Sequence, residues 1–171
     1  QSFPEEGWVE TRSPLASEFA EPGGKLSMLA SQFPKSFNVL IDNNVFSRQV
    51  FRLQFEQLLG SDPLTLEERP GLANRWEISE DKLQFTFHLD PRAKWSDGSP
   101  ITAEDVIWSF EEIKNPENLT GPLQVVLKRL TKIEAVDERT VRITAKEVHW
   151  KNLQACSSFY VLPKSWWKDQ D

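Results

Sequence analysis

Apolar and polar residues alternate most regularly over residues 83–89, where Leu83, Phe85, Phe87 and Leu89 share one face and Gln84, Thr86 and His88 the other. A period of two predicts a half-buried strand. Residues 76–79 precede it, with the polar triplet Glu80-Asp81-Lys82 between, so the pair is predicted to form a hairpin. A second hairpin is predicted from 132–136 and 140–144 around Asp137-Glu138-Arg139. The helical period is clearest after Thr102, which stands as an N-cap with Asp105 three residues on, as in a capping box. Val106, Phe110 and Ile113 then form one apolar stripe, and Asn115-Pro116 ends it.

A helix is also predicted over 44–59, capped by Asn44 or Ser47 and stopped by Gly60. Phe46, Val50, Leu53 and Gln57 lie on one stripe, and Phe51, Phe55, Leu58 and Leu59 widen it, as in a helix wedged between two layers. A shorter helix is predicted over 123–130. Short strands are predicted over 25–30, with Leu26 and Met28 on one face, over 64–69 before Pro70-Gly71, and over 159–163, halted by Pro163. Asp62-Pro63 and Asp97-Gly98 read as turns, with the Asp97 side chain bonding nearby amides. Pro34 marks 32–37 as a loop, and residues 1–24, punctuated by Pro4, Pro14, Pro22 and Gly23-Gly24, read as an extended leader. Helices interspersed among antiparallel hairpins predict an α+β fold with a mixed, mainly antiparallel sheet.

Charge narrows the function classes. The 20 Lys and Arg against 26 Asp and Glu give a net charge of −6, which offers phosphate backbones no general attraction. The basic cluster Lys128, Arg129 and Lys132 is followed at once by Glu134, Asp137 and Glu138 and reads as a solvated face, so no nucleic-acid partner is expected. Apolar stretches such as 50–59 are broken by Arg52, Gln54, Glu56 and Gln57, far short of the roughly 20 apolar residues that span a bilayer. Cys156 is the one cysteine, and His88 and His149 are far apart, so neither a disulfide, a metal site nor a cofactor is expected.

No catalytic residues are expected either. Glu104-Asp105 reads as a helix N-terminal feature and His88 as a surface histidine. Cys156 lacks a neighbouring histidine, no serine has a Gly-x-Ser-x-Gly setting, and no Gly-Lys-Ser/Thr follows Gly23-Gly24. Of the seven tryptophans, Trp76, Trp95 and Trp108 flank regular elements and are expected in the core. Trp166-Trp167 puts two indoles side by side, which calls for a covering partner. Indoles also suit ligand grooves, which keeps a carbohydrate-binding module as a rival to a peptide binder.

The run from Leu83 through the turn Lys94-Trp95-Ser96-Asp97-Gly98 to Pro100-Ile101-Thr102-Ala103-Glu104-Asp105-Val106 resembles the signature of solute-binding protein family 5. These are the oligopeptide-, dipeptide- and nickel-binding components of ABC importers. The likeness extends over about 23–165, through Gly23-Gly24-Lys25-Leu26, Phe55-Glu56-Gln57-Leu58-Leu59, Pro70-Gly71-Leu72 and Val161-Leu162-Pro163-Lys164. Val39, after Ser36-Phe37-Asn38, departs from a usual proline.

The resemblance implies the N-terminal part of a bilobal, type II periplasmic-binding-protein fold with an inserted domain. It implies an extended leader over 1–24, the first strand and loop of lobe I over 25–41, the inserted domain over 42–155 and a return into lobe I over 156–171, with the second lobe absent. It implies peptide capture, an ABC permease as partner, contact with the membrane only through that permease or a lipid anchor, and a periplasmic or other extracytoplasmic location. An oligosaccharide ligand is the alternative within the same transporter class. Gln1 at the start, without a signal peptide, reads as a trimmed chain. By position, the loop of Gln32, Phe33, Pro34 and Lys35 is implied to touch the ligand, and 118–123 to approach it.

Overall fold

The computed structural model describes residues 1–5, 17, 19–21, 23–29, 33–41 and 44–169. In chain order the elements are β1 (Ser2–Phe3), α1 (Val45–Gln54), β2 (Leu59–Ser61), β3 (Glu68–Pro70), β4 (Ala73–Ile78) and β5 (Gln84–Leu89), then α2 (Ala103–Lys114), α3 (Gly121–Leu127), β6 (Leu130–Asp137), β7 (Thr140–Ala145), α4 (Asn152–Ser157) and α5 (Lys164–Trp167). The larger sheet has the order β1-β4-β5-β7-β6 with every pair antiparallel, and β2 and β3 form a separate hairpin. The mixed α+β class read from the sequence is the class observed.

The register explains why the alternation in β5 is so regular. Phe3, Trp76, Phe87, Val141 and Ala135 stand opposite one another across all five strands, and Ile78, Phe85, Ile143 and Ile133 make the next such row across four. The rings of Phe3 and Trp76 stack at 5.9 Å, so the leader's first residues continue the row instead of lying free. Between the rows, Glu77, Thr86, Arg142 and Glu134 turn to the polar face. The apolar face takes Val106, Phe110 and Ile113 of α2, all buried. Each such side chain contributes roughly 1.5–3 kcal/mol through burial.

α2 begins as the sequence predicts. The Asp105 carboxylate accepts from the Thr102 backbone N–H at 3.0 Å, and the two residues close a capping box. The Asp97-Gly98 turn is also present: Gly98 sits at φ +88°, and Asp97 accepts from the Ser99 N–H at 2.8 Å.

Four expectations need correction. Residues 23–29 form no strand, and Leu26 is 84% exposed, because no ladder partner lies beside them among the described residues. α1 stops at Gln54 instead of running to residue 59, because the next turn is taken by pairing: Leu72 N–H donates to the Gln57 carbonyl at 3.0 Å and Ala73 N–H to that of Leu58 at 2.9 Å. Leu59 and Gly60 therefore belong to β2, and the helix buries Ser47 and Phe51 while Leu53 is 89% exposed, so no second layer covers that stripe. Only Glu68–Pro70 of the predicted 64–69 strand is extended in a ladder, because the Asp62 carboxylate accepts from the N–H groups of Leu64 and Thr65 (2.8 and 2.9 Å) and folds 63–65 into a turn. The tail 159–163 is buried but makes a single bridge, Gln57 with Tyr160, instead of a strand.

α3 starts two residues earlier than predicted and ends at Leu127, since Leu130 joins β6. α4 and α5 had no sequence signal. The indoles of α5 divide: Trp166 is exposed, whereas Trp167 packs with Trp108 and Tyr160 against a small cluster of Val39, Phe51 and Leu162. Trp76 is buried, and Trp95 and Trp108 are half-buried against the two cores.

Candidate functional site

Two separate cores decide where a cleft can form. The first lies between the larger sheet and α2, and the second gathers Val39, Phe51 and Leu162 behind α2. Ser109, buried on α2, ties the second to the first: its hydroxyl donates to the Asp105 carbonyl at 2.7 Å and accepts from the Leu162 N–H at 2.8 Å. The Asp105 carboxylate then accepts from the Lys164 N–H at 3.0 Å. Residues 162–164 are thus fixed to one helix, and the chain just before them is held against Glu56 and Gln57, with Val161 N–H donating to the Glu56 carbonyl at 3.1 Å.

Beside this junction opens a cleft of about 800 Å³. One wall is α1 with Arg48, Phe51, Arg52 and the following Phe55, and another is the β2–β3 hairpin from Leu59 to Gly71. Val39, Leu40 and Ile41 close one end, while Pro122, Leu123 and the segment of Ser158, Phe159 and Tyr160 complete it. The rings of Phe51, Phe55 and Tyr160 form a tilted series, with centroids 6.5 and 6.4 Å apart. Gly71 lets the hairpin approach, since a Cβ there would lie 2.7 Å from the Gln57 carbonyl oxygen.

The acidic groups of the hairpin are already engaged. Backbone N–H bonds from Thr65 and Leu64 hold the Asp62 carboxyl below its usual range, helped by Arg69 at 3.4 Å. Burial pushes the Glu68 carboxyl up. A concave surface, mostly apolar with a few charged groups at its edge, has the make-up of a small-ligand site.

The residues implied to touch ligand are placed less tellingly. Gln32 lies outside the described residues. Phe33 is 94% exposed, Lys35 is exposed and Pro34 half-buried, and none of the three lines the cleft. They precede Val39, which does. Of 118–123, Pro122 and Leu123 reach the cleft wall. Arg48, Arg52, Phe55 and Tyr160 were missed as a group; the available signal was the two arginines one helical turn apart in an apolar helix.

Elsewhere, reactive side chains are occupied structurally. His88 Nε2 lies 3.1 Å from both Glu77 Oε1 and Arg75 Nη2 on the polar sheet face. Cys156 is buried, and burial pushes its thiol up, away from the reactive thiolate. Among the described residues no group of three His, Cys, Asp or Glu side chains could hold a metal ion.

Residues 67–171 match the family model described as bacterial extracellular solute-binding proteins, family 5 middle. The chain belongs to this family. Along 94% of its length it is 30% identical to the probable peptide-binding protein YejA of Agrobacterium fabrum, of which it covers 25%. It is 45% identical over 73 residues to the periplasmic oligopeptide-binding protein OppA of Salmonella typhimurium, a match covering 43% of this chain and 13% of OppA. Among solved structures, AgaA of Agrobacterium tumefaciens R10, in complex with agropinic acid, superposes with a TM-score of 0.70 at 28% identity, over 80% of this chain and 28% of AgaA. The chain thus spans about a quarter or less of the two relatives' length. Family 5 proteins bind solutes, and this fold is a portion of their bilobal architecture.

Proposed function

We propose that this chain is the N-terminal portion of the substrate-binding component of an ABC importer, which captures peptides outside the cytoplasmic membrane and delivers them to a permease. The observation that carries this reading is the 30% identity to a protein named as peptide-binding along 94% of the chain. Residues 25–41 would then belong to lobe I, 42–155 to the inserted domain and 156–171 to the return into lobe I. The two cores support that division, since 39–41 and 160–167 meet in the smaller one, apart from the sheet. The second lobe corresponds to the part of the relatives that this chain does not span.

In this reading Gln32, Phe33, Pro34 and Lys35 face the ligand when the lobes close, which suits the exposure of Phe33 and Lys35. Binding rests on lobe closure around the peptide backbone, with side-chain pockets left wet and permissive. The test is to isolate the full-length protein from its cells, denature it and identify the released ligand by mass spectrometry. Peptides are expected; release of a single non-peptide solute, with agropinic acid as a comparison standard, contradicts the reading.

A further inference from the structure

α1 presents two guanidiniums to the cleft. Arg48 and Arg52 are four residues apart, and side chains so spaced are neighbours on one helix face, roughly 5–6 Å apart at Cβ. Both are exposed, and among the described residues neither has a carboxylate within the 4.0 Å that defines an ion pair. The acids that share the cleft do not offset them fully. Asp62 is engaged by Arg69 and by two backbone N–H groups, which leaves Glu56 against two positive charges. Beside the arginines the wall is aromatic, with the Phe55 and Tyr160 rings 6.4 Å apart.

We infer that this cleft holds the free carboxylate end of a peptide, paired with Arg48 and Arg52, with the terminal side chain lying against Phe55 and Tyr160. The inference rests on the peptide-binding reading above. The chemistry is specific: a guanidinium presents parallel N–H donors that match the two oxygens of a carboxylate, and pairing against an apolar wall is stronger than in open water. An amide at the same end accepts through one oxygen, carries no charge and points N–H donors at the arginines. An acidic side chain near the peptide's end offers the same carboxylate, so the two sources must be separated.

The experiment uses the full-length protein and calorimetry with three probes: Ala-Ala-Phe as free acid, Ala-Ala-Phe amide, and Ala-Asp-Phe amide. The free acid is expected to bind at least about tenfold more tightly than its amide, as one charge-assisted bond would give. R48Q/R52Q should abolish that preference while leaving amide binding and the melting temperature unchanged, and R48K/R52K should restore part of it. Equal affinity of acid and amide in the wild type overturns the inference, as does a preference that survives R48Q/R52Q. Recovery of affinity with Ala-Asp-Phe amide transfers the site to acidic side chains and overturns the terminal assignment. If none of the peptides binds, the peptide-binding reading fails and the inference with it, an outcome distinct from binding without preference.

Discussion

Replacing Asp105 by alanine removes the acceptor on which the two cores are joined. Its Oδ2 accepts from the Thr102 N–H (3.0 Å), the Thr102 hydroxyl (3.1 Å) and, at 3.4 Å, the Trp95 indole N–H, and its Oδ1 accepts from the Lys164 N–H. The residue is only 7% exposed, so water cannot readily take over these bonds. Loss of the cap costs about 1 kcal/mol, and each buried N–H left without a partner costs roughly 1–3 kcal/mol. Relief from burying a carboxylate offsets part of this, which leaves about 3 kcal/mol. For a chain of this size that lowers Tm by roughly 6–12 °C. Glu104→Gln is the internal control, because its ion pair with Lys164 (3.0 Å) joins a 75% exposed side chain to a 41% exposed one and contributes about 0–1 kcal/mol. Urea melts followed by circular dichroism on the wild type and both variants measure the difference. If Asp105→Ala costs under about 1 kcal/mol, or no more than Glu104→Gln, the latch has no energetic role.

Gly71→Ala should destabilise by about 1–3 kcal/mol in the same melts, because its Cβ would press on the Gln57 and Leu58 carbonyls, and an unchanged midpoint would show that the hairpin can shift. Side-chain and backbone hydrogen bonds from Arg92 hold the Asp90 carboxyl below its usual range, and Arg139 adds to the effect. A carboxyl whose folded pKa is depressed contributes stability above its unfolded value of about 3.9 and loses it as pH falls through the lower folded value. Asp90→Asn should therefore narrow the gap between stability at pH 6 and stability in acid, and a pH–stability curve parallel to wild type would contradict this. Cys156 should resist Ellman's reagent in the native protein at pH 8 and react fully in urea; rapid native labelling would mean that α4 opens.

The elements legible in the sequence are those whose signals are local. The β4–β5 hairpin and α2 announce themselves through alternation, an Asp-Gly turn and a capping box, and each forms where the pattern puts it. α1 shows the limit: its apolar pattern continues to Leu59, but the carbonyls of Gln57 and Leu58 are claimed by Leu72 and Ala73, fourteen or more residues away in sequence. α4 and α5 are short and have no side-chain cap bond, so nothing local marks their starts. The family was legible from the run around Trp95 and Thr102, which is scaffold. The cleft was not, because its walls come from five segments between Val39 and Tyr160 that only the fold brings together. The loop of Phe33, Pro34 and Lys35 was reachable only through resemblance, as no periodicity or charge pattern there points to a ligand.

The central claim, that this chain is one side of a peptide-capturing cleft, is tested most directly by calorimetry with a tripeptide-to-pentapeptide mixture. The full-length protein and the isolated 171-residue chain should be titrated side by side. The full-length protein should bind with a Kd near or below ~1 μM and the isolated chain far more weakly, because closure of the second lobe supplies much of the ligand's burial. Submicromolar binding by the isolated chain, or no peptide binding by the full-length protein, would contradict the account.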